Sequence, residues 1–258
     1  MSLIIKTEAI VLRAIKYSET SKIVTFYTKE LGKIGAIVKG ARKRESKVGS
    51  ALEPMSYVQV VLYVKESREV QLVSQIELIQ SFHHIASDLE RISVGLSLVE
   101  IVNAIVHEQE QNVPLFLLLK DSLSELENLS LSPSFLLWYF ELKLSELLGF
   151  APVFDSCGKC KKALTTDAGT SWQLYSISRG SPVCNTCSVT QETLTHLSTN
   201  AVQALGKLIS IPDVKKLNNN YLEVQKNEEI ETFLTKYLQL HVPGFRIPRS
   251  REMLKAVS

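Results

Sequence analysis

From residue 3 to 79 apolar and polar side chains alternate with a period of two, and the alternation predicts five short strands near 4–15, 20–28, 33–39, 56–65 and 69–78. Turn-prone or charged segments separate them, such as Tyr17-Ser18-Glu19, Lys29-Glu30-Leu31-Gly32 and Lys65-Glu66-Ser67. In the third strand Ile34, Ala36 and Val38 form one row and Lys33, Ile37 and Lys39 the other, so its lysines face out. In the fourth, Val58, Val60, Leu62 and Val64 point inward, and Tyr57, Gln59, Val61, Tyr63 and Lys65 form the outer row. Five strands in fewer than 80 residues predict a small barrel.

At Phe82 the period changes to steps of three and four. Phe82, Ile85, Leu89, Ile92, Leu96, Val99 and Val106 mark a helix over about 81–109. Further helices are expected at Leu115–Asn128 and at Ser134–Leu148, the latter between Pro133 and Gly149. Trp172–Ser178 has the composition of a short strand, and the last 60 residues return to helices, one starting at Ser198 and one over Glu228–Leu240. The expected fold is a multidomain α+β protein in four parts. Residues 1–80 form the five-stranded barrel, 81–150 an all-α domain, 151–192 a four-cysteine element, and 193–258 C-terminal helices that pack with the helical domain.

Charge divides the chain along the same lines. The formal net charge of +2 over 258 residues hides about +5 in residues 1–80, −7 in 81–148 and +4 in 149–258. The sharpest concentration follows the third strand, where Lys39, Arg42, Lys43, Arg44 and Lys47 stand against Glu45 alone. A segment that polar is no core, and its charge suits a polyanion. A barrel with Tyr57 and Tyr63 on its outer face beside such a loop is the arrangement of oligonucleotide-binding (OB) folds, in which bases stack on rings while cations follow phosphates. The same residues also allow a solvated loop, with the two tyrosines covering a second apolar layer under the following helix.

Four cysteines occur as Cys157-x-x-Cys160 and Cys184-x-x-Cys187. Each pair can form a knuckle with two thiolates aimed at one ion, and four sulfurs complete a tetrahedral Zn2+ shell with no position left for a catalytic water. The spacing therefore points to a structural zinc, with redox-active pairs or unligated thiols as the alternatives. No phosphate-binding Gly-rich loop, Gly-x-Ser-x-Gly elbow or paired zincin histidines occur, so no enzyme is expected. The 45% hydrophobic composition supports a globular core; neither an export signal nor an apolar run of about 20 residues occurs, and the expectation is a cytoplasmic protein without membrane contact.

The basic segment GKIGAIVKGARKRESK from Gly32 to Lys47, the run FLLWYFELKLSELLGFAP leading into the cysteines, and the terminal PRSREML together resemble RecO, a bacterial DNA repair and recombination mediator family. The resemblance covers essentially the whole chain. It implies an OB-fold barrel, a helical domain and a zinc-binding element, and the complete cysteine set supports a bound zinc here. It also implies binding to single- and double-stranded DNA, annealing of complementary strands, and action with RecR and single-stranded-DNA-binding protein to load RecA. The DNA contacts expected are Lys33, Lys39, Arg42, Lys43, Arg44, Lys47, Tyr57, Tyr63 and Lys65. The acidic, aromatic-ended tail of single-stranded-DNA-binding protein is expected in a groove of Trp138, Tyr139 and Lys143 completed by Arg249 and Arg251. The competing reading is a zinc-ribbon adaptor that binds proteins and has no direct DNA contact.

Overall fold

A computed structural model describes residues 3–42, 49–128, 132–164, 172–188, 194–217 and 228–255. The five strands form where the alternation places them: β1 Leu3–Lys16, β2 Lys22–Thr28, β3 Gly32–Val38, β4 Tyr57–Val64 and β5 Val70–Gln80. They close a barrel in the order β1-β2-β3-β5-β4. Closure depends on β1, whose 14 residues pair with β4 through its first half and β2 through its second, with a register shift between Val11 and Arg13. Such an irregularity bends a strand enough for it to serve both edges. β3 and β5 complete the wall as a short parallel pair, Gly35–Ile37 against Val70–Leu72. This is the OB-fold topology. Phe26, Ile34, Val58, Val60 and Leu62, each no more than 1% exposed, fill the interior, and each large apolar side chain removed from water contributes about 1.5–3 kcal/mol.

The helix expected over 81–109 is two helices, α1 His83–Ser87 and α2 Leu89–Ile105. Asp88 between them is extended, with φ −127° and ψ 123°, and its carboxylate accepts the Arg91 N–H at 2.9 Å. The carboxylate caps α2 better than Asp88 could serve a continuous helix, because aspartate satisfies the free amides of a first turn. Leu89, assigned to the buried stripe, is 42% exposed as a result. α3 follows as Val113–Asn128.

The remaining elements are α4 Pro133–Leu147, β6 Trp172–Ser176, β7 Ser181–Pro182, β8 Leu194–Ser198, α5 Thr199–Ser210, α6 Glu228–His241 and α7 Ser250–Lys255. α4 ends at Gly149, whose φ of +82° is the left-handed turn that lets the Phe150 N–H reach back to Ser145 O at 2.7 Å. β7, β6 and β8 form an antiparallel sheet in that order. β8 lies where only helix was expected; its last residue, Ser198, then caps α5 by accepting the Ala201 N–H. The chain divides into two compact units, residues 1–128 with 247–258, and residues 129–246. α1 to α3 thus share a unit with the barrel, and α4 shares one with the cysteines.

In the first unit α7 packs on α2. Ser93 Oγ donates to Ser250 O at 2.7 Å, Ser97 Oγ lies 2.8 Å from Ser250 Oγ, and Glu100 accepts the Arg249 N–H at 2.7 Å. The C-terminal segment is held by its backbone. No helix among the described residues is long and apolar enough to cross a membrane.

Candidate nucleic-acid interface and metal site

The β1–β2 turn and the exit of β3 meet at one end of the barrel. Lys22 on β2 pairs with Val38 on β3, which puts Lys39 beside the β1–β2 turn. Arg42 is pinned to that turn twice, its N–H donating to Thr20 O at 3.1 Å and its Nη1 to Ser18 O at 2.7 Å. One guanidinium donor is used this way; among the described residues the exposed remainder of the fork has no hydrogen-bond partner, and its geometry suits a phosphate. The β4–β5 connection is organised by Gln71, a buried residue at 1% exposure. Its amide accepts the Lys65 N–H at 2.8 Å and donates to Lys65 O and Arg68 O at 3.2 and 2.6 Å. Lys65 and Arg68 are thereby held exposed on a shaped loop. On the β4–β5 wall of the barrel a groove of about 440 Å³ carries Lys6 and Lys39 among Gln59, Val61, Gln75 and Glu77.

Lys39 and Arg42 therefore lie beside the β1–β2 turn and Lys6 joins Lys39 at the groove, whereas Lys65 and Arg68 stand on the β4–β5 connection, which enters β5 opposite Gly35 because β5 runs parallel to β3. Lys6 and Arg68 carried no signal in sequence, since nothing local places them beside residues of other strands. Lys33 and Tyr57 lie on another row of the barrel, Lys33–Tyr27–Ile10–Tyr57. Lys33 is not turned out to solvent as the alternation suggested: Nζ donates to Asn103 O near the end of α2 at 3.0 Å. Tyr57 donates to Glu8 at 2.7 Å, and burial, followed by that bond to a carboxylate, pushes its hydroxyl pKa well above 10. The two tyrosines are six residues apart on one strand, about 20 Å, so they do not form a single stacking platform. Lys43, Arg44 and Lys47 lie outside the described residues.

The four cysteine sulfurs lie within 4.8 Å of one another. The first knuckle is built by the Cys157 N–H donating to Lys162 O and the Lys161 N–H to Cys157 O, both at 2.9 Å. The second closes with the Cys187 N–H on Cys184 O at 2.9 Å. Gly158 makes the approach between knuckle and sheet possible. Its N–H reaches Pro182 O at 3.0 Å, and a Cβ there would collide with the Ser181 side chain. Lys159 Nζ ties the knuckles together through Cys187 O at 3.2 Å.

Burial by itself raises the Cys157 thiol, yet amides of Cys160, Cys184 and Lys159 directed at the sulfur outweigh it and bring the pKa down to about 6. Cys187 moves the other way, to about 12, because it is next to Cys184. Thiolates this close cannot all ionise unless a cation joins them. The donor set is soft, four-fold and closed, and it fits a tetrahedrally coordinated metal ion.

Aromatic packing joins this element to α6. Tyr175 meets Phe233 edge to face at 4.9 Å, Tyr237 donates to Phe150 O at 2.7 Å, and His241 Nε2 donates to Ile177 O at 2.7 Å. The aromatic slot expected on α4 is corrected by burial. Trp138 and Tyr139, 1% and 2% exposed, are core side chains and offer no surface to a peptide. Lys143 is committed as well, to Glu146 at 2.7 Å and to Ile209 O at 2.8 Å. Arg249 is exposed and Arg251 half-buried.

The fold and site define a class, an OB-fold protein with exposed cations on its loops and a four-cysteine metal-binding element. The family model for the recombination protein O N terminus matches residues 1–82, and that for its C terminus matches residues 86–251. Among relatives called DNA repair protein RecO, that of Caldanaerobacter subterraneus is 31% identical over 92% of this chain and 93% of its own. That of Chloroherpeton thalassium is 32% identical over 96% of both. That of Salinibacter ruber is 42% identical over 64% of this chain and 63% of its own. The chain belongs to the RecO family of DNA repair proteins.

Proposed function

We propose that this chain is a non-catalytic mediator that binds single- and double-stranded DNA through the cations on the loops and outer wall of the barrel and anneals complementary strands. With RecR, it helps load RecA onto DNA covered by single-stranded-DNA-binding protein, whose acidic tail it grips at a place other than the buried rings of α4. The observation that carries the DNA reading is that Lys39 lies beside the β1–β2 turn to which Arg42 is pinned and lines one groove with Lys6, with Lys65 exposed on the β4–β5 connection of the same OB barrel. Such a surface gathers two polyanionic strands without reading bases, lowering their repulsion while leaving their pairing edges available. The metal of the cysteine cluster is zinc in a structural role, since four thiolates leave it no open position. The site of action that follows is the cytoplasmic nucleoid.

Titration of Lys39→Ala/Arg42→Ala/Lys65→Ala with single-stranded DNA at several salt concentrations tests this. Each lost phosphate contact flattens the plot of log affinity against log salt by about 0.7, so the triple variant flattens it by about 2. An unchanged slope rejects the surface. Absence of salt-dependent binding by the unaltered protein favours a protein-binding adaptor.

A further inference from the structure

The four thiols of the metal-binding element are not equivalent. Cys157 is fully buried, Cys184 and Cys187 are half-buried, and of the four only Cys160 is exposed. The buried sulfur is held in place, since the Cys184 N–H reaches it at 3.5 Å while the Cys157 backbone closes its own knuckle through Lys161 and Lys162. Cys160 belongs to the same knuckle. Its sulfur nevertheless lies 3.8 Å from Cys184 Sγ, in the other knuckle and 24 residues along the chain. Lys161, Lys162 and Ala163, which follow it, are exposed as well. The one sulfur open to solvent is therefore in contact with a thiol of the opposite knuckle.

We propose that Cys160 and Cys184 form an oxidation site for hydroperoxides, at which Cys160 is the entry thiol, Cys184 closes a disulfide across the two knuckles, and the bound metal is released. The proposal rests on the zinc reading above and deepens it. Oxidation of cysteine follows exposure of the sulfur, so a hydroperoxide meets Cys160 first. One peroxide oxygen passes to the Cys160 thiolate: an S–O bond forms, the O–O bond breaks, the sulfur gives up two electrons, and hydroxide leaves. The Cys184 thiolate then attacks the resulting sulfenic acid, the S–S bond forms, the S–O bond breaks, and a second hydroxide leaves. Two thiolates and one hydrogen peroxide thus give one disulfide and two hydroxides. Cys157 is the poorer partner, because bonding to Cys160 draws its buried sulfur away from the Cys184 amide.

Only Cys157 and Cys187 then remain as thiols, too few to complete a four-coordinate shell. The oxidised element is not the same as a chelated one. Its knuckles stay joined by the new bond, by Lys159 Nζ on Cys187 O and by the Gly158 N–H on Pro182 O. Reduction by a dithiol returns all four sulfurs to positions from which the metal can be bound again. The element thus has two interconvertible forms, one metal-bound and one disulfide-bonded. Tyr175 on Phe233 and Tyr237 on Phe150 O carry a change in this element to α6.

The test treats the zinc-loaded full chain with hydrogen peroxide, follows released ion with a metallochromic dye, and maps disulfides by mass spectrometry without reduction. The expected result is zinc release together with a Cys160–Cys184 bond, both reversed by dithiothreitol and added zinc. Two variants keep a metal shell, because three thiolates and one imidazole also hold structural zinc. Cys160→His removes the entry thiol and should release zinc roughly tenfold more slowly than the natural protein, whereas Cys187→His keeps the pair and should stay within about twofold of it. Equal rates for the two variants overturn the proposal, as does a map dominated by Cys157–Cys160 or Cys184–Cys187. The map is read on the natural protein, so it decides even where a variant fails to fold. A protein purified without zinc overturns the zinc reading and metal release together; a zinc-loaded protein that keeps its ion and four thiols under peroxide overturns the proposal alone.

Discussion

The barrel and the four-cysteine element solve the same problem, holding charged side chains in a fixed array, with opposite resources. The barrel does so through apolar area. Alternation over five strands delivers a row of inward side chains from each, and closure leaves Lys39, Arg42 and Lys65 on loops braced by backbone and Gln71. The cysteine element has little area to bury among its described residues: the two-residue β7, the five-residue β6 and knuckles held by turns, with Cys160 exposed. Its array is four thiols that repel once ionised. A core of apolar side chains needs no ligand, whereas a cluster of like charges requires its cation to be stable.

The largest separation between the two should come from metal removal. Structural tetrathiolate sites bind with an apparent free energy of about 10–16 kcal/mol, so chelation or Cys157→Ser should unfold the region around 151–188. Through Tyr175, Tyr237 and His241 the loss should extend to α6, while hydrogen exchange in β1 to β5 stays unchanged. Equal exchange throughout the chain after chelation would remove the contrast. Leu62→Ala provides the converse. It opens a cavity in the barrel core and should cost about 2–5 kcal/mol, lowering the barrel's melting temperature while metal content, measured by thiol-competition assay, stays the same.

Gln71→Ala should cost about 1–3 kcal/mol, since the Lys65 N–H and two carbonyls lose their partner. Crystallography or proteolysis of the β4–β5 loop would show whether its shape depends on that amide. The smallest effect is expected at Glu127 in the barrel's unit. Burial raises its pKa, but the His84 and Ile85 amides at 2.9 Å and the His84 ring outweigh it and hold the value below 4.5. A depressed carboxyl contributes stability that is present above its unfolded value and lost as pH falls through the folded one. Denaturant melts between pH 6 and 3 should therefore show a steeper loss for the natural protein than for Glu127→Gln.

Much of this was legible along the chain, because strand alternation, helix period and cysteine spacing are local. The burial pattern of Tyr57–Val64 and the cap at Ser198 follow from neighbours within a few residues. The break at Asp88 was missed because the apolar stripe continues through it, and only the cap geometry shows that the carboxylate serves a new first turn. The aromatic run of α4 was misjudged for a related reason: a helix buried almost all round has the same composition as one with an exposed aromatic groove.

By itself the sequence determined the five strands, the helical period, the metal-binding tetrad and the segment where positive charge concentrates, since each is written in spacings shorter than a single element. Only the tertiary structure decided which charges act together. It sent Lys33 to a helix carbonyl and Lys39 to a groove with Lys6, and it set Ile4 beside Tyr63 and Tyr63 beside Leu72. Strand register is a property of two segments at once, fixed by how β1 bends to close the barrel, and no local pattern encodes it.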